Sequence, residues 1–350
     1  MNAAIPSAAM SLAVSYSMAT SMLENALRAK LVPFLRGSPG IGKSAIIHAI
    51  ANKFNLKVID LRLAQCDPTD LLGFPDIDRK TNKARYVPMS TFPVKGDEPP
   101  EDYSGWLLFL DEFNSADRST QKAAYKLVLD RMVGEFHLHE RVAIACAGNL
   151  DTDNAIVEDL STALQSRLIH MELKSSASEW LEWAAANDVD YRITSFINFK
   201  PGLLYTFKPD HPDNTYACPR TWEFANRLLQ VTDSSDKTFT PLLSGTLSTG
   251  VAREFNAYLH VHHSLPTIAQ ILAAPETLAI SSEPGVRYAL TGMLAHHASA
   301  SNLEALMKFI MRLPAEFQAV CLKELCKRTP ELMSHGAVAH WISTNATKLF

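Results

Sequence analysis

The chain has 350 residues, 47% of them hydrophobic, and a formal net charge of −4. That length predicts about two domains with a real core, and the slightly acidic balance offers no general attraction to nucleic acid or an anionic membrane. Five scattered cysteines without zinc spacing point to reduced thiols in a cytoplasmic protein.

No transmembrane stretch is evident. The first 23 residues carry no charged side chain, but Ser11, Ser15, Ser17 and Ser21 interrupt the apolar run and no early Lys or Arg precedes it. A signal peptide needs both a basic start and an unbroken apolar core. Ser11 to Lys30 is therefore expected to form an amphipathic helix leading into a first strand, Leu31 to Leu35.

The stretch Gly37-Ser38-Pro39-Gly40-Ile41-Gly42-Lys43-Ser44 follows. It fits G-x-x-x-x-G-K-[ST] at every fixed position, between a strand-length apolar run and a helical pattern from Ala45 to Phe54. Its glycines let successive backbone N–H groups point into one concavity, and the helix adds its positive end. Lys43 is placed to reach the β- and γ-phosphates of a nucleoside triphosphate, and Ser44 to ligate Mg²⁺.

Lys57 to Leu63 reads as a second strand. Cys66 to Pro75 and Ala84 to Pro88 are two apolar arms around a polar tip, Asp76 to Lys83, the pattern of a hairpin or an exposed loop. Trp106 to Leu110 is a continuous apolar run that suits a strand buried on both faces. It ends in Asp111-Glu112, at the strand end that lines the ligand crevice in open parallel sheets. Asp111 is expected to hold Mg²⁺ and Glu112 to orient the attacking water.

Asp117 to Arg131 reads as a helix with Ser119 as cap, and Val133 to Glu140 as a small hairpin. Val142 to Gly148 is another buried strand, ending in Asn149. That amide could bond the attacking water or the γ-phosphate, or be a turn residue. Arg167 closes a helix before a fifth strand, Leu168 to Leu173. It could be an ordinary helix-end cation or reach a nucleotide on a neighbouring subunit. From Ser175 the alternation stops and helices follow. One opens at Pro219-Arg220, and another runs from Leu242 to His260. The His262-His263 and His296-His297 pairs lack a third metal ligand.

The order of these features resembles the AAA+ ATPases, and within them the MoxR group. The residues that carry the likeness are the Walker A loop, Asp70-Leu71-Leu72-Gly73 before the first hairpin, Asp111-Glu112-Phe113-Asn114, the Val133-Gly134 hairpin, Asn149, Arg167 and Pro219-Arg220. It covers about residues 10 to 260. Ser115 follows Asn114 where the MoxR pattern generally has Arg.

The resemblance implies an α/β P-loop NTPase core with a five-stranded parallel sheet over 1–174. A helical lid over 175–262 and a helical C-terminal extension over 263–350 would follow. It implies ATP and Mg²⁺ as cofactors. Asn149 would be the sensor-1 residue, Arg167 an arginine finger acting in trans, and Arg220 the sensor-2 arginine. It implies a homo-oligomeric, hexameric ring that remodels a protein partner, usually one with a von Willebrand factor A domain. A nucleic-acid motor and a nucleotide-gated assembly switch are the competing readings. Glu112 argues against the switch, since a pure binder has no need of it.

Overall fold

In the computed structural model, residues 13–153 and 157–349 are described. The chain divides into two compact units, 1–175 and 176–350.

The first unit runs β1 (Ala13–Val14), α1 (Tyr16–Arg28), β2 (Val32–Arg36), α2 (Lys43–Lys53), β3 (Leu56–Arg62), α3 (Pro68–Leu72) and a hairpin of β4 (Phe74–Asp78) and β5 (Lys83–Val87). It continues with β6 (Gly105–Asp111), α4 (Arg118–Asp130), a short hairpin of β7 (Met132–Val133) and β8 (Phe136–His137), β9 (Val142–Gly148), α5 (Thr162–Gln165) and β10 (Leu168–Leu173). Six strands form one parallel sheet in the order β1-β10-β2-β9-β6-β3. The fold is α/β, as expected, but the sheet has six strands and not five.

The added strand lies within the Ser11 to Lys30 stretch expected to be wholly helical. Ala13 and Val14 pair with Glu172 and Leu173 at the sheet edge before Ser15 caps α1. A two-residue strand has no alternation to read, so only its partner defines it.

The central strands are buried along their length, and alternate residues face opposite layers. Leu108 and Leu110 join a core with Ala124, Leu127 and Val128 of α4. Phe109 packs edge-on against His48 of α2 on the other side, at 6.2 Å between ring centroids. The cap of α4 is Asp117, which accepts from Thr120 N at 2.7 Å; Ser119 is helical and donates to Asp117.

The second unit is all helix: α6 (Ala177–Ala186), α7 (Tyr191–Phe199), α8 (Pro219–Val231), α9 (Phe239–Leu247), α10 (Thr249–His262), α11 (Ile268–Ala273), α12 (Pro284–His297), α13 (Leu303–Ile310), α14 (Ala315–Arg328) and α15 (Gly336–Leu349). The expected single helix from Leu242 to His260 is two helices, because Ser248 takes a φ of 78° between them. One cluster centres on Phe196, Trp222 and Phe255, another on Leu294, Phe309 and Leu325. Helix α12 takes part in both through Ala289 and Leu290. Its approach to α7 is close: a Cβ on Gly292 would lie 2.8 Å from Ser195 Cβ and 3.0 Å from Tyr191 O.

Candidate nucleotide site

The loop from Gly37 to Ser44 leaves the end of β2 and enters α2, which begins at Lys43. Gly40 and Gly42 hold φ values of 75° and 101°, the left-handed region where a side chain is costly. Lys43 Nζ donates to Gly37 O (2.5 Å), Ser38 O (3.1 Å) and Asn149 Oδ1 (3.1 Å). The ammonium is thus held at the mouth of the concavity by its own loop and by the strand beside it.

Strand β6 delivers the carboxylates. Ser44 Oγ donates to Asp111 Oδ2 at 3.1 Å, and Asp111 Oδ1 accepts from Glu112 N at 2.8 Å. Glu112 has a φ of 54°, an unusual conformation for a residue with a Cβ. That turn swings the chain out of the sheet into a short 3₁₀ turn, Phe113–Ser115, whose Phe113 is buried. Two hard oxygen donors side by side, Ser44 Oγ and Asp111 Oδ2, fit a Mg²⁺ ion.

Asp60 on β3 lies close to this pair. Burial, and then the Asp111 carboxylate, raise its pKa above the ordinary carboxylate value, while His48 and Arg62 oppose the shift.

The structure therefore brings Gly37 to Ser44, Asp111, Glu112 and Asn149 to one end of the sheet. It does not bring Arg167 there. That exposed side chain bonds Ala163 O at 2.7 Å and lies over the Tyr125 ring at 5.4 Å. Arg220 is the second residue of α8, exposed, and belongs to the second unit.

Asn114, which the sequence marks only as the last residue of the Asp111–Asn114 motif, is 3% exposed and makes two hydrogen bonds to the backbone of Asn149. Its trace in the sequence is a polar side chain directly after the buried Phe113.

A glycine-rich loop at a helix N-terminus, with a lysine in its mouth and a strand-end carboxylate on its serine, is the arrangement that a P-loop nucleotide site requires. Residues 33–168 match the family model of the AAA domain, dynein-related subfamily. This stretch is thus similar to AAA domains. No curated protein matches the chain in sequence. Among solved structures, a candidate ATPase from Cytophaga hutchinsonii is similar at 13% identity, over 97% of this chain and 91% of that one, with a TM-score of 0.35. The RuvB Holliday junction branch migration motor of Thermotoga maritima is similar at 15% identity, over 75% of each chain, with a TM-score of 0.35. NtrX from Brucella abortus is similar at 14% identity, over 95% of this chain and 66% of that one, with a TM-score of 0.34.

Proposed function

We propose that this protein hydrolyses ATP and uses the cycle to remodel a protein partner from a ring of identical subunits, in the manner of the MoxR group. The observation that carries the ATPase reading is the meeting of Ser44 with Asp111, directly beside Glu112. The P-loop backbone and Lys43 bind and orient the phosphates. Ser44 and Asp111 would hold Mg²⁺, which when bound neutralises charge on the phosphates. Glu112 orients the attacking water and takes its proton. Asn149 fixes Lys43 from the far side and presents its amide toward the phosphates.

Arg167 supplies further positive charge to the next subunit's site, and Arg220, at the sensor-2 position, is a second candidate cation for a nucleotide site. A repeated head-to-tail contact closes into a ring. The β4–β5 hairpin favours a protein partner. Its register puts Pro75, Ile77, Ala84 and Tyr86 on one face, with Ile77 62% and Tyr86 44% exposed. Exposed apolar surface of this kind marks protein contacts. The MoxR resemblance makes a von Willebrand factor A domain the partner to try first.

The test pairs two variants. Lys43→Ala should lose tight ATP binding by calorimetry. Glu112→Gln should bind ATP as well as the native protein and hydrolyse it at least about 100-fold more slowly. Near-native turnover in Glu112→Gln would remove the assignment.

A further inference from the structure

We propose that Asn114 is the positioning residue of this site: it sets Asn149, and through Asn149 the Lys43 ammonium, for hydrolysis. The inference rests on the ATPase reading above and names a residue which that reading does not use.

Asn114 Nδ2 donates to Asn149 O at 2.9 Å, and Asn149 N donates to Asn114 Oδ1 at 3.1 Å. A planar amide offers one donor and one acceptor side by side. Asn114 thus pairs with Asn149 as a neighbouring strand would, where β9 has already ended at Gly148. Without that pairing, the backbone carrying Asn149 would be an ordinary loop. With it, Asn149 Oδ1 stays 3.1 Å from Lys43 Nζ.

Gly148 makes room for the clamp. A Cβ there would lie 2.2 Å from Asn114 Oδ1 and 2.9 Å from Phe34 Cε2. The same glycine's carbonyl accepts from Gly37 N at 3.2 Å, so the clamped strand end also fixes the start of the phosphate loop. Asn114 O accepts from Glu158 N at 2.7 Å, in the segment that leads to α5 and Arg167. One buried residue, two positions after Glu112, therefore ties the turn that carries the base to the end of β9 and to the segment before α5. Asn114 touches none of the phosphate-binding atoms itself, so its effect must pass through Asn149.

The prediction concerns rate more than binding. In the full chain, Asn114→Ala should lower kcat by about 10- to 100-fold, the scale for a small misplacement of a reacting group. Its ATP affinity should stay within about twofold of native. Asn114→Asp gives a sharper signature. Its carboxylate accepts from Asn149 N but cannot donate to Asn149 O, whereas its protonated form does both. The ratio of its kcat to the native kcat should rise as pH falls, while the ratio for Asn114→Ala stays flat.

In the native protein, the Asn149 amide should exchange its hydrogen much more slowly than an exposed loop amide. Asn114→Ala with kcat within twofold of native would overturn the proposal. So would a flat pH ratio for Asn114→Asp, or unprotected exchange at Asn149, which needs no variant at all. Glu112→Gln separates the two levels. If it turns over normally, the ATPase reading fails, and exchange at Asn149 still decides whether the clamp exists. If it is inactive while Asn114→Ala is not, only the positioning role fails.

Discussion

Both units bury polar side chains, and they do so to different ends. In the α/β unit, buried Asn114 is linked to half-buried Lys43 through Asn149, and half-buried Ser44 bonds Asp111 at the neighbouring strand end. In the helical unit, Arg328 and Glu324 of α14 are each 6% exposed and bond each other, with Thr194 of α7 on the same carboxylate oxygen at 2.6 Å and Val189 O on the guanidinium at 2.7 Å. In the proposed ATPase the first network serves a ligand. The second joins helix to helix and faces inward. Changes in the first should therefore alter rate with little change in stability, and changes in the second should do the reverse.

The largest effect belongs to Arg167. If it completes a neighbour's site, Arg167→Ala should cut turnover by about 10³- to 10⁵-fold, roughly 4–7 kcal/mol of barrier, while ATP binding persists. Mixing Arg167→Ala with Glu112→Gln subunits should restore part of the activity, because some interfaces then carry both intact groups. Mixed rings with no recovered turnover would place Arg167 outside the site. It would then be a surface cation over Tyr125, and the ligand-facing network would end within one chain.

The counterpart in the helical unit is Arg328→Met. It leaves a buried carboxylate without its cation, which costs about 3–5 kcal/mol. Burial already pushes the Glu324 carboxyl upward, and Arg328 and Thr194 hold it down. The loss should therefore ease as pH falls and Glu324 takes up a proton. Glu324 Oε2 has no hydrogen-bond partner among the described residues, so the pair is not fully satisfied. The double change Glu324→Leu with Arg328→Met should recover most of the stability, as replacing a whole buried pair often does. Urea midpoints of the three proteins would show it. A drop in ATPase rate at unchanged stability would break the division between the units.

The difference in purpose also explains what was legible in advance. Phosphate chemistry needs adjacent residues: Gly37 to Ser44 and Asp111-Glu112 are contiguous, and the continuous apolar runs of β6 and β9 announce buried strands. The links are not local. Asn114 and Asn149 are 35 residues apart and Thr194 and Glu324 are 130 apart, and no short-range pattern requires either pair. Strand β1 was missed because two residues carry no period. The break at Ser248 was missed because Gly245 and Gly250 sit inside helices while the residue between them takes the positive φ.

The smallest effect expected is a difference in acid response. His262 packs against the Tyr191 and Tyr258 rings, and neither of its ring nitrogens has a hydrogen-bond partner among the described residues. Burial, then Arg192 and His263, lower its pKa to about 4 against the opposing pull of Asp190. His296, stacked on Tyr191 beside His297, is lowered too, by burial first and then by His297 and Arg328. Below the free-histidine value the unfolded chain binds protons that the folded unit refuses. Stability is therefore complete above about pH 6.5 and is lost as pH falls toward about 4, by at most about 3 kcal/mol for His262. Asp60 in the α/β unit has the opposite sign. Its raised carboxyl favours the protonated folded form, so its contribution is complete below the free-carboxyl value and fades as pH rises through the folded one. Acid should thus loosen the helical unit first. Urea midpoints at pH 7.5 and 5.0 should diverge more for the native protein than for His262→Phe. An equal loss in both would mean that the buried histidine has no part in it.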